Sequence, residues 1–201
     1  MKLRTSATSP YARKVWIVAF ETGLADRIEA VPTNVWDPAT DVIHDNPLGK
    51  VPALIADGGE AIYDSPVICE YLDSLHDGQK LVPPAGGARW TQKRLEALGD
   101  GILDALLAKR VETMMRPEDK RWPVWIERQE AAAARGLAQL EDEVAGWGDT
   151  FLIGQIAVVA VLGYLDFRFP DLDWRARYPA LAAWYAVLSQ RPSVAATVPV
   201  A

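Results

Sequence analysis

Asn46-Pro47-Leu48-Gly49-Lys50-Val51-Pro52-Ala53-Leu54, followed shortly by Ile62-Tyr63-Asp64-Ser65-Pro66, is the stretch around which the rest of this chain can be read. A turn built on Asn-Pro and Leu-Gly feeds a proline at the head of a short apolar strand. Proline lacks a backbone N–H, so Val51-Pro52 is not an ordinary strand interior. X-Pro bonds are also the ones in which a cis form is cheap. A cis bond here would turn the valine N–H and C=O outward, where a peptide could pair with them as an added strand. A second short strand follows Gly58-Gly59 and ends in Asp64-Ser65, an acid and a hydroxyl at a helix start. With the first N–H groups of that helix they would form a polar pocket one strand away. The arrangement suits a small peptide with a charged amino acid end.

These two motifs at this spacing resemble the N-terminal half of a soluble glutathione S-transferase of bacterial, serine-using type. The likeness extends to Thr8-Ser9-Pro10-Tyr11-Ala12-Arg13-Lys14-Val15 and to a helical second half of fitting length.

Composition is compatible with that. The 201 residues are half hydrophobic, enough for a sizeable core, with a net charge of −6. An acidic balance argues against a nucleic-acid binder, which needs a clustered basic face. The longest apolar runs, such as Ile156 to Leu165, are too short to span a bilayer. The opening MKLRTSATSP carries no apolar signal core. The single cysteine, Cys69, excludes an internal disulfide framework and points to a reducing cytoplasm. His44 and His76 fall into no metal-ligand spacing, so no metal is expected.

The chain changes character near residue 80. Strands are expected over Lys2–Ala7, Arg27–Val31, Ala53–Ala56 and Glu60–Tyr63, with helices over Pro10–Thr22 and Pro66–Leu75. The proline-glycine run Leu81–Gly87 reads as a linker. Beyond it Thr91–Met115, Trp122–Ala145, Ile156–Phe169 and Pro179–Ser189 read as helices. The fold class is therefore α/β plus all-α. A βαβ-ββα domain over 1–77 (thioredoxin-like, by the resemblance) is followed by a linker over 78–87 and an all-helical domain over 88–201.

Ser9-Pro10 is a helix start, a serine cap with proline at the first helical position. On local sequence alone Ser9 could be a cap and nothing more. The resemblance places Ser9-Pro10-Tyr11-Ala12 where thioredoxin-like proteins carry a redox Cys-x-x-Cys. A serine there forms no mixed disulfide, but its O–H can donate to a thiolate held at the helix N-terminus. A free thiol has a pKa of about 8.5, and lowering it two units takes about 2.7 kcal/mol. A charge-assisted hydrogen bond of ~1.5–3 kcal/mol plus a helix-end contribution of ~0.3–1 kcal/mol covers that. Thr8 and Tyr11 are alternative hydroxyls. Tyrosine-type members carry their phenol on the first strand, where this chain reads Arg4-Thr5-Ser6-Ala7.

By the same resemblance, Val51 pairs its backbone with the cysteinyl part of glutathione and Pro52 is the cis-proline that exposes it. Asp64 and Ser65 hold the γ-glutamyl ammonium and carboxylate. Lys50 either neutralises the glycyl carboxylate or is a solvated surface lysine. The implied activity is attack of the glutathione thiolate on a small hydrophobic electrophile resting between the two domains. Glutathione is the co-substrate, a homodimer the assembly, and no nucleic acid or membrane is a partner. A glutathione-dependent isomerase, peroxidase or dehalogenase remains open, as do a non-catalytic carrier and a stress-response module using the fold as a scaffold. Cys69 reads as core, Arg13 and Lys14 as solvent-facing or interdomain. Met114 and Met115 read as pocket lining or core, Trp36 as ligand cover, core or interface. One departure stands out. Many members open the central helix of the second half with a Ser/Thr-x-x-Asp box, and the matching tetrad here reads Gln155-Ile156-Ala157-Val158, with no strong cap.

Overall fold

The computed structural model describes residues 1–200. The first half contains β1 (Lys2–Thr5), α1 (Pro10–Glu21), β2 (Glu29–Pro32), β3 (Ala53–Ile55), β4 (Ala61–Ile62) and α2 (Ser65–Ser74). The strands make one sheet in the order β2-β1-β3-β4. β1 and β2 are parallel, a pairing that requires a crossover, and α1 provides it. The other two pairings are antiparallel, with Leu54 facing Leu3 on one side and Ile62 on the other. α1 and α2 pack against each other, and α1 buries Val15, Ile17 and Val18 completely.

The second half is helical: α3 (Gly86–Met114), α4 (Pro123–Glu143), α5 (Ile153–Arg168), α6 (Trp174–Arg177), α7 (Pro179–Leu188) and α8 (Pro192–Ala195). This is the thioredoxin-like plan followed by a helical domain. α3 begins at Gly86, inside the stretch read as a linker, on a positive φ of 74°. Every residue from Ile153 to Leu165 is buried, because α5 lies against α3 on one side and α1 on the other. A helix apolar all round has no solvent face to keep, and this one holds the two halves together. α3 and α5 approach closely: a Cβ added at Gly99 would lie 3.0 Å from the Ala157 Cβ.

One sequence expectation is corrected here, and of the two readings left open for Arg13 and Lys14 the solvent-facing one is excluded. α5 starts at Ile153, three residues before the expected Ile156, so Gln155–Val158 is not its opening tetrad. Leu152 is the N-cap, and Gln155 is the third helical residue, its Oε1 accepting the Leu152 N–H at 3.2 Å. The acceptor that a leucine cannot supply comes from α3, where Gln92 Oε1 takes the Gly154 N–H at 3.0 Å. Arg13 and Lys14 do not face solvent. The Lys14 ammonium is sealed between α1 and α3, 2.6 and 2.8 Å from the Asp100 oxygens and 3.2 Å from Glu96. Burial works against that charge, and Asp100 with Glu96 outweighs it, holding the lysine above its ordinary pKa. Arg13 is tied to the C-terminal segment through the Val194 carbonyl and the Thr197 hydroxyl.

Candidate active site

Sheet topology brings the sequence motifs to one place. β1 ends at Thr5, and Arg4 faces Ala53 at the start of β3. Ile62 at the end of β4 faces Leu54 near that same start. The residues after β1, before β3 and after β4 therefore emerge at one end of the sheet. Those residues are Ser9, Lys50-Val51-Pro52 and Asp64-Ser65.

The loop into β3 is held by Asn46, which is buried. Its Oδ1 accepts the Leu48 N–H at 3.0 Å and its Nδ2 donates to the Lys50 carbonyl at 2.9 Å. Gly49 closes the turn at φ 64°, a left-handed conformation that suits glycine. From the other side Arg4 grips the same loop, with forked bonds to Asp41 and a bond from Nε to Asp45 at 2.7 Å. The Val51–Pro52 peptide is cis. Pro52 is buried, Val51 half-buried and Lys50 exposed. The ladder with β1 begins only at Ala53, so Val51 lies outside it.

Asp64 precedes α2 in extended conformation, exposed, and its carboxylate does not cap the helix it heads. The Tyr63–Asp64 peptide is also cis. Ser65, the first helical residue, is buried, while Pro66 behind it needs no N–H partner. An acceptor-only group beside a hydroxyl and a helix N-terminus can hold an ammonium and a carboxylate together.

The three candidate hydroxyls differ in what they are doing. Ser9 Oγ accepts the Ala12 N–H at 3.2 Å, which leaves its own proton free to be donated. Thr8 Oγ1 shares a hydrogen bond with Ser6 Oγ at 3.2 Å. Tyr11 donates its proton to Asp104 on α3. Burial first, and then the Asp104 carboxylate, pushes the Tyr11 phenol far above its ordinary pKa. Tyr11 is thus held neutral and committed to the second half.

The remaining polar candidates lie elsewhere. His44 is exposed, and His76 Nε2 is 3.0 Å from Asp73 Oδ1. Burial pushes the Cys69 thiol up, so it is an inert core group. Trp36, Met114 and Met115 are exposed. Among the described residues no His/Cys/Asp/Glu group of three or more could hold a metal ion, and no helix is long and apolar enough to cross a membrane. Two concavities among the described residues lie away from Ser9. One, of about 330 Å³, lies between α3 and α4 around Leu98, Ile102 and Gly136. The other, of about 490 Å³, sits at the far end of α1 beside Glu21, His76 and Arg191.

Sequence reading did not anticipate two supports of the site. The Asn46 bonds were implicit in an Asn-Pro-x-Gly turn, in which an asparagine commonly bonds backbone two residues on. The Tyr11–Asp104 bond joins residues 93 apart, and no local pattern announces it.

Two family models match the chain: glutathione S-transferase, N-terminal domain, over residues 8–75, and glutathione S-transferase, C-terminal domain, over residues 123–186. The GST-like protein YibF of Escherichia coli (strain K12), itself described as uncharacterized, is 34% identical over 99% of this chain and 98% of its own length. A solved glutathione transferase family member from Pseudomonas fluorescens Pf-5, with bound glutathione, is 45% identical. It superposes with a TM-score of 0.95 over 100% of this chain and 99% of that one. A glutathione S-transferase from Methylobacillus flagellatus KT, solved with glutathione bound, is 41% identical, with a TM-score of 0.94 over 99% of each chain.

Proposed function

The chain belongs to the glutathione S-transferase family, and from that premise we propose that it binds glutathione at the sheet end described above and activates its thiol at Ser9. The observation that carries the proposal is the Ser9 hydroxyl. It sits at the N-terminus of a twelve-residue helix, already oriented by the Ala12 N–H, with its own proton uncommitted. Thr8 and Tyr11 are engaged with Ser6 and Asp104. The Ser9 O–H donates to the sulfur, and the helix end favours the anion there. The thiolate then attacks a small hydrophobic electrophile, the new S–C bond forming as the leaving group departs with its electron pair.

The peptide lies along Val51, whose N–H and C=O take up the cysteinyl backbone in the manner of an added strand. Pro52 fixes the direction in which Val51 presents them. Asp64 takes the γ-glutamyl ammonium, Ser65 and the first amides of α2 take its carboxylate, and Lys50 neutralises the glycyl end. Residues 1–77 form the glutathione-binding domain and 88–201 the helical domain that covers the electrophile, joined by 78–87. The working form is a cytoplasmic homodimer, as the resemblance implies. Both glutathione-bound neighbours support the ligand assignment, since each aligns over nearly the whole chain.

The test is a conjugation assay with a chloronitroaryl substrate. Ser9→Ala should lose most of its turnover while glutathione affinity, measured by calorimetry, changes little. Thr8→Val should keep both. Equal loss in the two variants, or full activity in Ser9→Ala, would remove Ser9 from the mechanism.

A further inference from the structure

One turn into the helix that Ser9 opens lies a cation with no acid to meet it. The Arg13 N–H donates to the Ser9 carbonyl at 3.0 Å, so the two residues stand one turn apart on α1. Arg13 is only 4% exposed and is the one buried arginine among the described residues. Other arginines without an ion pair, such as Arg121, keep part of their surface in water. Nε of Arg13 donates to the Thr197 hydroxyl at 3.4 Å and Nη2 to the Val194 carbonyl at 3.3 Å. Nη1 has no partner. It is the single buried side-chain nitrogen or oxygen among the described residues that lacks a hydrogen bond. Such a group is costly to bury and calls for an explanation.

The surroundings are shaped to hold the charge there. A Cβ added at Gly163 of α5 would fall on Nη1, and would lie 3.0 Å from the Tyr185 hydroxyl. Glycine is unfavourable inside a helix, and here its missing side chain makes the seat for the guanidinium. The groups facing Arg13 from α5, α7 and the C-terminal segment are thus a glycine, a phenol, a carbonyl and a hydroxyl, none of them a carboxylate. The other charged residues of α1 are balanced, Lys14 by Asp100 and Glu96, and Glu21 by Arg191. Glu96 is shared with Lys93 of α3. That leaves Asp104, held on the Tyr11 hydroxyl, as an acid close to Ser9 with no ion pair among the described residues. A buried arginine keeps its charge where an unpaired lysine would shed it.

We infer that the Arg13 guanidinium is a fixed positive charge serving the thiolate: it offsets Asp104 and, with the Ser9 O–H, favours the ionised sulfur of glutathione. The inference rests on the glutathione site proposed above. Arg13 does not touch the sulfur; it acts through the low-dielectric interior behind the first turn of α1. One helical turn is about 5.4 Å, which puts the guanidinium on the order of 10 Å from a sulfur at Ser9. At that separation and an effective dielectric of ~20, a unit charge moves a thiol pKa by about one unit. This contribution offsets the rise a thiolate suffers when an electrophile displaces its water.

The test titrates the thiol of bound glutathione by ultraviolet absorbance in the native protein, Arg13→Met, Arg13→Gln and Thr197→Val. Both neutral replacements of Arg13 should raise the thiol pKa by about one unit. Conjugation of a chloronitroaryl substrate should then fall about tenfold at pH 6 and little at pH 9. Thr197→Val removes one anchor of the guanidinium but keeps the cation, so its thiol should titrate as in the native protein. Urea denaturation separates charge from scaffold: losing an unpaired buried charge should leave Arg13→Met at least as stable as native. A native-like thiol pKa in folded Arg13→Met or Arg13→Gln overturns the inference, as does an equal rise in Thr197→Val. Failure of both neutral variants to fold also overturns it, assigning Arg13 to the scaffold alone. A thiol that titrates at its free value on the native protein shows instead that the Ser9 site itself is wrong.

Discussion

Gln92→Met is the substitution that tests most sharply how α3 and α5 are held together inside the helical half. Gln92 is buried on α3, and its Oε1 accepts the N–H of Gly154, the second residue of α5. Methionine preserves length and volume but offers no comparable acceptor. The Gly154 N–H would be left buried and unpaired at a helix start that no solvent reaches. That costs the desolvation of one donor, about 1–3 kcal/mol. The Leu152 N–H keeps its own acceptor on Gln155, so the loss should stop at one bond. Urea denaturation followed by circular dichroism should show the midpoint falling with the slope unchanged. Gly154→Ala probes the same contact sterically. Its Cβ would lie 2.7 Å from Gln92 Oε1 and 2.8 Å from the Leu95 Cβ, so α3 and α5 must separate. We expect about 1–3 kcal/mol of overpacking cost there, larger than the gain of up to ~1 kcal/mol from replacing a helical glycine. A Gln92→Met protein within about 0.5 kcal/mol of native would refute the reasoning, since surface-like substitutions fall in that range.

Lys14→Met should destabilise by about 3–5 kcal/mol, because Asp100 and the sealed Glu96 lose a buried counter-charge; a loss under about 1 kcal/mol in urea would show the charge is dispensable. Asp64→Asn and Ser65→Ala should each weaken glutathione binding by about tenfold or more in calorimetry, the range of one hydrogen bond to a charged group; unchanged affinity in both would remove α2 from the site. Glu21 links α1 to the C-terminal segment through forked bonds to Arg191 and one to Ser193. Burial alone would raise its carboxyl, but Arg191 and Ser193 outweigh it and hold it below the usual 4.5. A depressed acid stabilises the fold above its unfolded pKa and loses that contribution as pH falls through its folded value. Glu21→Gln should therefore cost about 1 kcal/mol at pH 7, discounted for the exposed arginine, and flatten the stability curve below about pH 4.5. An acid limb identical to native would count against it.

What could be read ahead of the structure was local. Ser9-Pro10, the turn through Gly49 and the Asp64-Ser65-Pro66 helix start each announce themselves within a few residues. The four strands and the long helices followed from periodicity. Convergence of the three motifs at one sheet end was not local, because it depends on β3 pairing antiparallel with both β1 and β4. The start of α5 was misplaced for the same reason: its cap arrives from Gln92, 62 positions earlier, and a leucine N-cap gives no signal. For Lys14 the solvent-facing and interdomain readings could not be separated, because the acids that neutralise its burial, at 96 and 100, belong to the other half. The short helices α6 and α8 are four residues each, below the length at which an apolar period can be recognised.

The central claim is that the Ser9 proton stabilises a bound thiolate, and titrating that sulfur tests it most directly. Absorbance near 240 nm, followed against pH for glutathione on the native protein, should give a thiol pKa about two units below the free value of about 8.5. In Ser9→Ala the same titration should move back up by about 1–2 units, the loss of one charge-assisted hydrogen bond. A bound thiol that titrates at the free value in the native protein, or identically in both, would contradict the account.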